Sequence, residues 1–557
     1  MNKNGIKLIA LYIAAVIGYL FFVSRFTIPV HLTVDEELYI SMAKSFHYRG
    51  VFSHEGVILD YTCVLYSMLL SLAYYFGSPR NIVFLFRGIG TVIMLSSVFP
   101  VFLLSKRMLG TKKENERTVW AVTILTIFLP SMMNVAYCMQ EVLLYPVFLW
   151  TIYFVYREMQ EGNILKLTGN TVLIAIFSAI GYFTKTLFLF LPLLYCFYII
   201  WEAFRTRHFN IWKKLGVFLG IWLALYGVGK LDIFWLNDGI EGSNHYATQF
   251  ANLFPVDGQT VLAVLSCIVF YVIALLFYWA VLPVILPLVN WKSYEEQDRK
   301  FLKFLVLGIG ILIVEIVVSI VITEEGKVML PHKLLYRYFQ MFEVPLLLIY
   351  LKGRKKFEFP KWILAIYLTV FTYLGMYFAV LGNQQRLGII DAPVFLLIDN
   401  ITRKILPHFN ILACVSAAIL MGVVWMMYQK GKVKDILKPV HILEIAGMAV
   451  IFLINLYQLP YYHNQAAMGT AIQNDAIRIA DYISENVSEN ETVYYLDTQK
   501  LAYGRAVYAY LPQEVVCVTR EELDNLGRYF LLISDDAEAP GENVDLELQV
   551  LNVKKGQ

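Results

Sequence analysis

Charge is scarce in this chain. Asp, Glu, Lys and Arg together make up 16% of its 557 residues, against about 25% in soluble domains. Hydrophobic residues reach 58%, and the mean hydropathy is +0.59. A water-soluble enzyme and a disordered or collagen-like chain are excluded on that ground. Paired cysteines are lacking too. Cys63, Cys138, Cys196, Cys267, Cys414 and Cys517 lie far apart with no CxxC among them, which excludes a cysteine zinc site and a disulfide framework. No short repeat is visible. Three glycosylation sequons occur, at Asn400, Asn486 and Asn490, a motif common by chance. Nothing in the pattern calls for a nucleic-acid partner.

Long apolar runs are abundant. A membrane-crossing helix needs about 20 mostly apolar residues. Segments of that kind fall near 6–24, 82–104, 118–138, 142–156, 170–184, 186–204, 212–229, 259–290, 301–322, 339–351, 361–382, 408–428 and 439–458. These predict a mainly α, polytopic transmembrane bundle of about 13 spans. The run 62–76 is shorter and reads as interfacial. The first run lacks a small-residue cleavage site and reads as a retained anchor. Aromatics at 15% fit interfacial belts, with Trp201, Trp212 and Trp291 at span ends.

Lys and Arg divide unevenly between alternate loops. One set (1–7, 105–117, 157–168, 205–214, 291–303, 352–361, 429–438) holds 26, and the longer opposite set holds 12. The positive-inside rule makes the first set cytoplasmic. The N-terminus is then inside, and loops 25–80, 230–258, 323–338 and 383–407 are outside. Residues 1–460 form the transmembrane part. Residues 470–557 read as a small extracytoplasmic α/β domain, with a helical period from Asp475 to Val487 and β-type runs at Thr492–Leu496, Val515–Val518 and Tyr529–Ile533. That tail shows no glycine-rich phosphate loop and no nucleophile elbow, so a scaffold or acceptor-binding role is expected of it. It carries 16 acidic and 7 basic residues. The formal net charge of +3 is therefore the sum of an acidic tail and a basic membrane part.

The candidate chemistry is acidic and sits on the outer loops. His31 to Lys44 reads HLTVDEELYISMAK, with Asp35, Glu36 and Glu37 directly after a membrane exit. Acids at a helix start complement its dipole, and a carboxylate held there can equally act as a base. The same loop continues to Asp60, Tyr61 and Thr62. Glu141 opens the span after the turn Tyr137 to Gln140, where burying a charge is costly without a partner or a water-filled cavity. Asp35, Asp60 and Glu141 thus reach one side of the membrane from consecutive loops, as an acid/base or metal centre requires. Lys185 could snorkel to headgroups or hold a phosphate. Arg337, near His332 and Lys333, could anchor a helix end or bind a lipid phosphate. Glu315 lies inside a span, and pairing with Arg87 is the expected resolution.

The order of these elements resembles the GT-C superfamily of polyprenyl-phosphate-sugar-dependent glycosyltransferases. The order is one span, an Asp-Glu in the first outer loop, a surface helix, an apolar run ending at Phe76-Gly77, and a span closing in Ser105 to Gly110. The resemblance is greatest to the protein O-mannosyltransferase and lipid A aminoarabinose transferase branch. It is supported by the turn Tyr182-Phe183-Thr184-Lys185 and by Tyr336-Arg337-Tyr338-Phe339 before Pro345. It covers roughly residues 1–205 well and 320–350 weakly.

The resemblance implies an inverting transfer of a sugar from a polyprenyl-phosphate-linked donor to an extracytoplasmic acceptor: a cell-envelope glycan, a lipid or a protein. Asp35 matches the family's acid beside the sugar-phosphate bond, with Glu36 next to it, and Glu141 matches the acid of the second outer turn. Lys185, Arg337, Tyr338 and Tyr61 would bind substrate. Asp60 stands where the aminoarabinose branch has a metal-binding Glu, although Tyr61 and Thr62 follow it here instead of Lys and Pro. His245 stands in the outer loop that supplies that branch's metal-ligating His, and the pair would hold a divalent metal ion. A loop histidine with no ligand role is the other reading of His245, and two ligands do not define a metal. A transporter or flippase of lipid-linked sugars using Glu315 and Arg87, and a non-catalytic envelope-assembly scaffold, remain the alternative functions.

Overall fold

The structure is a computed structural model. It describes residues 3–26, 34–54, 57–59, 61–110, 112–160, 168–236, 256–279, 281–321 and 333–358, and isolated positions as far as 373. In the C-terminal part it describes 466–488, 491–496, 504–525, 531–534, 541–544 and 551–555, and isolated positions between them.

The described residues are mostly helical. In chain order the helices are α1 Lys3–Phe26, α2 Val34–Arg49, α3 Leu65–Ser71, α4 Ile82–Leu95, α5 Val98–Leu109, α6 Lys113–Ile127, α7 Glu141–Gln160, α8 Gly169–Thr184, α9 Phe190–Thr206, α10 Phe209–Leu236, α11 Gly258–Tyr278, α12 Leu282–Val289, α13 Glu296–Ile316 and α14 Glu343–Gly353. Near the C-terminus come α15 Ala466–Asn486 and α16 Arg520–Asn525. Among the described residues, six stretches are long and apolar enough to cross a membrane: Lys3–Phe21, Ile82–Leu109, Thr186–Thr206, Phe209–Ile233, Gly258–Tyr278 and Glu296–Ser319. The chain is a multi-pass membrane protein.

The expected thirteen spans meet several interruptions. The run 118–138 ends as a helix at Ile127, because extended Leu129 precedes Pro130 and a 3-10 turn occupies Pro130–Ala136. Proline lacks the donor that the helix would need there. The run 259–290 divides into α11 and α12 at Val281, whose φ of 56° lies in the left-handed region. The run 82–104 divides at Ser96-Ser97, and its second part continues to Leu109. Gly110, at φ 88°, closes α5 in a conformation that side chains disfavour. The segments 408–428 and 439–458, and most of 361–382, lie outside the described residues.

α7 is the central helix, buried along nearly its whole length and packed against α4, α5, α8 and α13. Two buried carboxylates tie its C-terminal end to its neighbours. Glu158 pairs with Lys214 of α10 at 2.7 Å and accepts hydrogen bonds from Tyr195 of α9 (2.7 Å) and Thr171 of α8 (3.0 Å). Asp298 of α13 pairs with Lys352 of α14 at 2.6 Å and accepts from Tyr156 of α7 at 2.8 Å. Buried charges are tolerated when paired, and these pairs and hydrogen bonds tie five helices to α7.

The strands β1 Ser53–His54 and β2 Val57–Ile58 form a small antiparallel ladder. A five-stranded sheet lies near the C-terminus, in the order β4 Glu514–Val518, β3 Thr492–Leu496, β5 Leu531–Ser534, β7 Asn552–Lys555, β6 Glu542–Asn543. The first three strands run parallel, and β7 is antiparallel to β5 and β6. The three β-type runs of the sequence fall on β3, β4 and β5.

This C-terminal part grips α2. Lys44 donates to the carbonyl of Tyr508 at 3.4 Å, Arg49 pairs with Glu514, and Tyr74 donates to the carbonyl of Ala509 at 3.3 Å. Lys44 is 5% exposed. Burial, with Arg49 nearby and only partly offset by Glu514, lowers its ammonium to about 7. Its folded value therefore lies below the unfolded one, and the unfolded chain binds more protons between about pH 7 and 10. Stability should rise with pH across that window. Lys44→Met removes the penalty, so it should raise the melting temperature at pH 7 and flatten the pH dependence above it. Thermal melts of both proteins at pH 7 and pH 10 check this, and a parallel fall for the variant at both pH values would refute it.

Candidate active site

The site forms where α2, the N-terminal end of α7, the turn after α8 and the 3-10 turn Tyr336–Tyr338 meet. Each side chain is delivered by a local cause. Asp35 lies in the first turn of α2 together with Glu36 and Glu37, where carboxylates face the positive end of the helix dipole. Glu141 holds the equivalent place in α7. Lys185 follows the last turn of α8 in extended conformation (φ −156°, ψ 126°). That turn is tight: a Cβ on Gly181 would lie 2.1 Å from the ring of Phe188. Only glycine lets the buried Phe188 close under α8 and set the position of Lys185.

The charged groups make one continuous row. Arg337 reaches Asp35 at 3.4 Å and Glu141 at 3.5 Å, and Glu141 holds Lys185 at 2.7 Å. Tyr338 completes it: Arg337 donates to its hydroxyl at 3.0 Å, and the Lys185 ammonium stands 4.4 Å from its ring centre, within cation–π range. Burial works to raise the Glu141 carboxyl, but Lys185 and Arg337 outweigh it and hold the group below the usual glutamate range. Burial works equally to lower Lys185, and Glu141 overrides it and holds the ammonium above the usual lysine range. The pair stays charged. The Asp35 side chain is 43% exposed, against 2% for Glu141. Asp35 is the open end of the row.

Asp35, Glu141, Lys185, Arg337 and Tyr338 are thus brought together. Glu36 turns away from them. It is buried, and its carboxylate accepts from the backbone N–H of Cys138 at 2.8 Å, fastening α2 to the turn before α7. Tyr39 has a phenol that is pushed well up by burial, then by Tyr61, Asp35, Glu141 and Tyr338. Asp60 and His245 lie outside the described residues. Among the described residues no group of three His, Cys, Asp or Glu could hold a metal ion.

The structure does not bring Glu315 to Arg87. Arg87 stands near Tyr137 and Tyr510, whereas Glu315 lies on α13 with one carboxylate oxygen, Oε2, unbonded among the described residues. The two positions lie on different helices, and hydropathy alone does not show which helices pack together.

Two further residues belong to the site. Tyr39 lies one turn beyond Asp35 on α2, at the i+4 spacing that shares a face. Lys230 of α10 donates to Thr62 at 2.6 Å, and its charge reaches Cys63 together with that of Lys185. Lys230 falls one residue past the apolar run ending at 229, the position from which a lysine snorkels out of a span.

The described helical membrane bundle shares its fold with solved membrane-protein structures. No family model matches it, and no curated protein does. Solved structures do match. ArnT from Cupriavidus metallidurans bound to undecaprenyl phosphate is similar at a TM-score of 0.53 and 14% identity, over 99% of this chain and 98% of its own. Its apo state gives 0.53 and 13% over the same shares. The archaeal oligosaccharyltransferase AglB from Archaeoglobus fulgidus, in complex with an inhibitory peptide and a dolichol-phosphate, gives 0.37 and 10%, over 94% of this chain and 69% of its own. At these identities the likeness to ArnT is one of fold.

Proposed function

We propose that the chain is an integral membrane glycosyltransferase. It moves a sugar from a polyprenyl-phosphate-linked donor to an extracytoplasmic acceptor. The observation that carries this reading is the Asp35–Arg337–Glu141–Lys185 row on a GT-C fold, with its one solvent-open member a carboxylate. The likeness to ArnT, solved with undecaprenyl phosphate, supports the donor class. The uneven Lys and Arg distribution supports a cytoplasmic N-terminus. The site and the C-terminal α/β domain then lie outside, where soluble sugar nucleotides are not available and a lipid-carried donor is.

The reaction is a direct displacement with inversion. An acceptor hydroxyl attacks the anomeric carbon, and Asp35 takes its proton as the new C–O bond forms. The bond from that carbon to the phosphate oxygen breaks, and the polyprenyl phosphate leaves with the electron pair. Lys185 and Arg337 face the charge that develops on that phosphate, and Glu141 holds both cations in place before substrate arrives, which is electrostatic preorganisation. Glu36 positions α2. Asp60 and His245 are our proposed ligands for a divalent cation. One carboxylate and one imidazole would leave the remaining positions to water or substrate oxygens. Metal content of the purified chain should fall in His245→Ala; unchanged content would remove that role.

Proteoliposomes loaded with a radiolabelled polyprenyl-phosphate sugar test the function. Transfer of label to an acceptor supports the reading. Movement of the intact labelled lipid across the bilayer without transfer would identify a flippase instead.

A further inference from the structure

A cavity lies between α9 and α13, at the other end of the bundle from the site, and touches none of the site residues. It encloses about 650 Å³. One wall is Leu194, Phe197 and Trp201, and the other is Phe304 and Leu307. It runs along α9 from Leu194 to Arg205, a rise of about 16 Å at 1.5 Å per residue. That is the length of an acyl chain. An adjoining lobe of about 510 Å³ shares Trp291, Arg299, Lys303 and Leu307.

The mouth is polar and its charges do not balance. Arg205 pairs with Glu202 at 2.9 Å and Glu296 at 3.1 Å, and Lys300 pairs with the same two acids at 3.2 and 3.3 Å. Two cations therefore satisfy two carboxylates. Arg299 and Lys303, one turn apart on α13, also line the mouth. Neither makes an ion pair with an acid among the described residues. The Lys303 ammonium rests 5.0 Å from the ring of Trp291. An apolar slot of acyl length, with two uncompensated cations and an indole at its rim, matches an amphiphile with an anionic head.

We propose that this cavity is a binding site for an anionic glycerophospholipid. Arg299 and Lys303 hold the phosphodiester, the guanidinium through its planar fork, and the α9–α13 slot holds an acyl chain. Arg205 and Lys300 are neutralised by their own acids and only border the head. General snorkelling of basic residues to a membrane surface would favour anionic lipids weakly and would need no slot.

The full-length chain is reconstituted in vesicles of equal phosphatidylglycerol and phosphatidylcholine, extracted in mild detergent, and the retained lipid is read by native mass spectrometry. Phosphatidylglycerol should be retained over phosphatidylcholine on the order of tenfold, the ratio that a charge-assisted hydrogen bond corresponds to. In Arg299→Gln/Lys303→Gln that ratio should fall to about one. Leu307→Trp, which fills the slot and keeps both charges, should lose the bound lipid. Size-exclusion elution and sugar transfer, which these positions do not touch, report that the variants are folded. Equal retention of the two lipids by the native chain would overturn the proposal. So would a preference that survives the double substitution, or phosphatidylglycerol retained undiminished by Leu307→Trp.

Discussion

Asp35→Asn is expected to lower the turnover of sugar transfer by about 10²–10⁴-fold, the usual worth of a general base. The donor-lipid KM should change far less. Asparagine keeps the shape of the side chain and an oxygen for Arg337 at the 3.4 Å contact, but it cannot accept the acceptor's proton. Neither Glu141 nor Glu36 substitutes for it. Glu141 is 2% exposed and locked between Lys185 and Arg337, and Glu36 is turned to the Cys138 amide. Initial rates in proteoliposomes, at several donor concentrations and matched protein levels, separate turnover from KM. Turnover within a few-fold of the native chain would take the base role from Asp35.

Glu141→Ala should produce the largest loss of stability among the site variants, about 3–5 kcal/mol, because removing one partner leaves buried cations uncompensated. Lys185 and Arg337 are each only 12% exposed at the side chain, so water cannot replace the carboxylate fully. The loss should not be additive with that of Lys185. Glu141→Ala/Lys185→Met removes a buried charge together with its partner and should recover part of the stability lost by Glu141→Ala alone, as contacting residues do in a double-mutant cycle. Denaturant or thermal unfolding of the two single variants and the double variant measures the coupling. Simple additivity would mean that the 2.7 Å pair does not organise the site.

What the sequence showed of this site follows from its physics. Acids in the first turn of a helix leave a local mark, so Asp35 and Glu141 could be picked out singly, and the low charged fraction made each conspicuous. Their convergence on Arg337, some 300 residues downstream of Asp35, is a tertiary fact without local pattern. Lys185 and Arg337 each had a bland reading as an interfacial anchor, and only the shared neighbour Glu141 separates the two readings. Glu36 and Asp35 look alike in sequence, yet adjacent positions on a helix point about 100° apart. One therefore faces the site and the other the Cys138 amide. Span ends were the least legible feature. Hydropathy averages across Leu129-Pro130 and Val281, where the backbone departs from the helix although the run stays apolar.

The grip of the C-terminal sheet on α2 has a consequence for biosynthesis. The contacts of Lys44 with Tyr508 and of Arg49 with Glu514 join positions 464 and 465 residues apart. The helix that presents Asp35 leaves the ribosome 464 residues ahead of the carbonyl that clamps it. Every nascent intermediate therefore holds α2 without this restraint, and pairings of such long sequence separation form slowly. A chain stalled short of residue 508 could thread its helices into the bilayer and still not hold α2 in its final place. Competence would arrive only once Tyr508 and Glu514 have been translated.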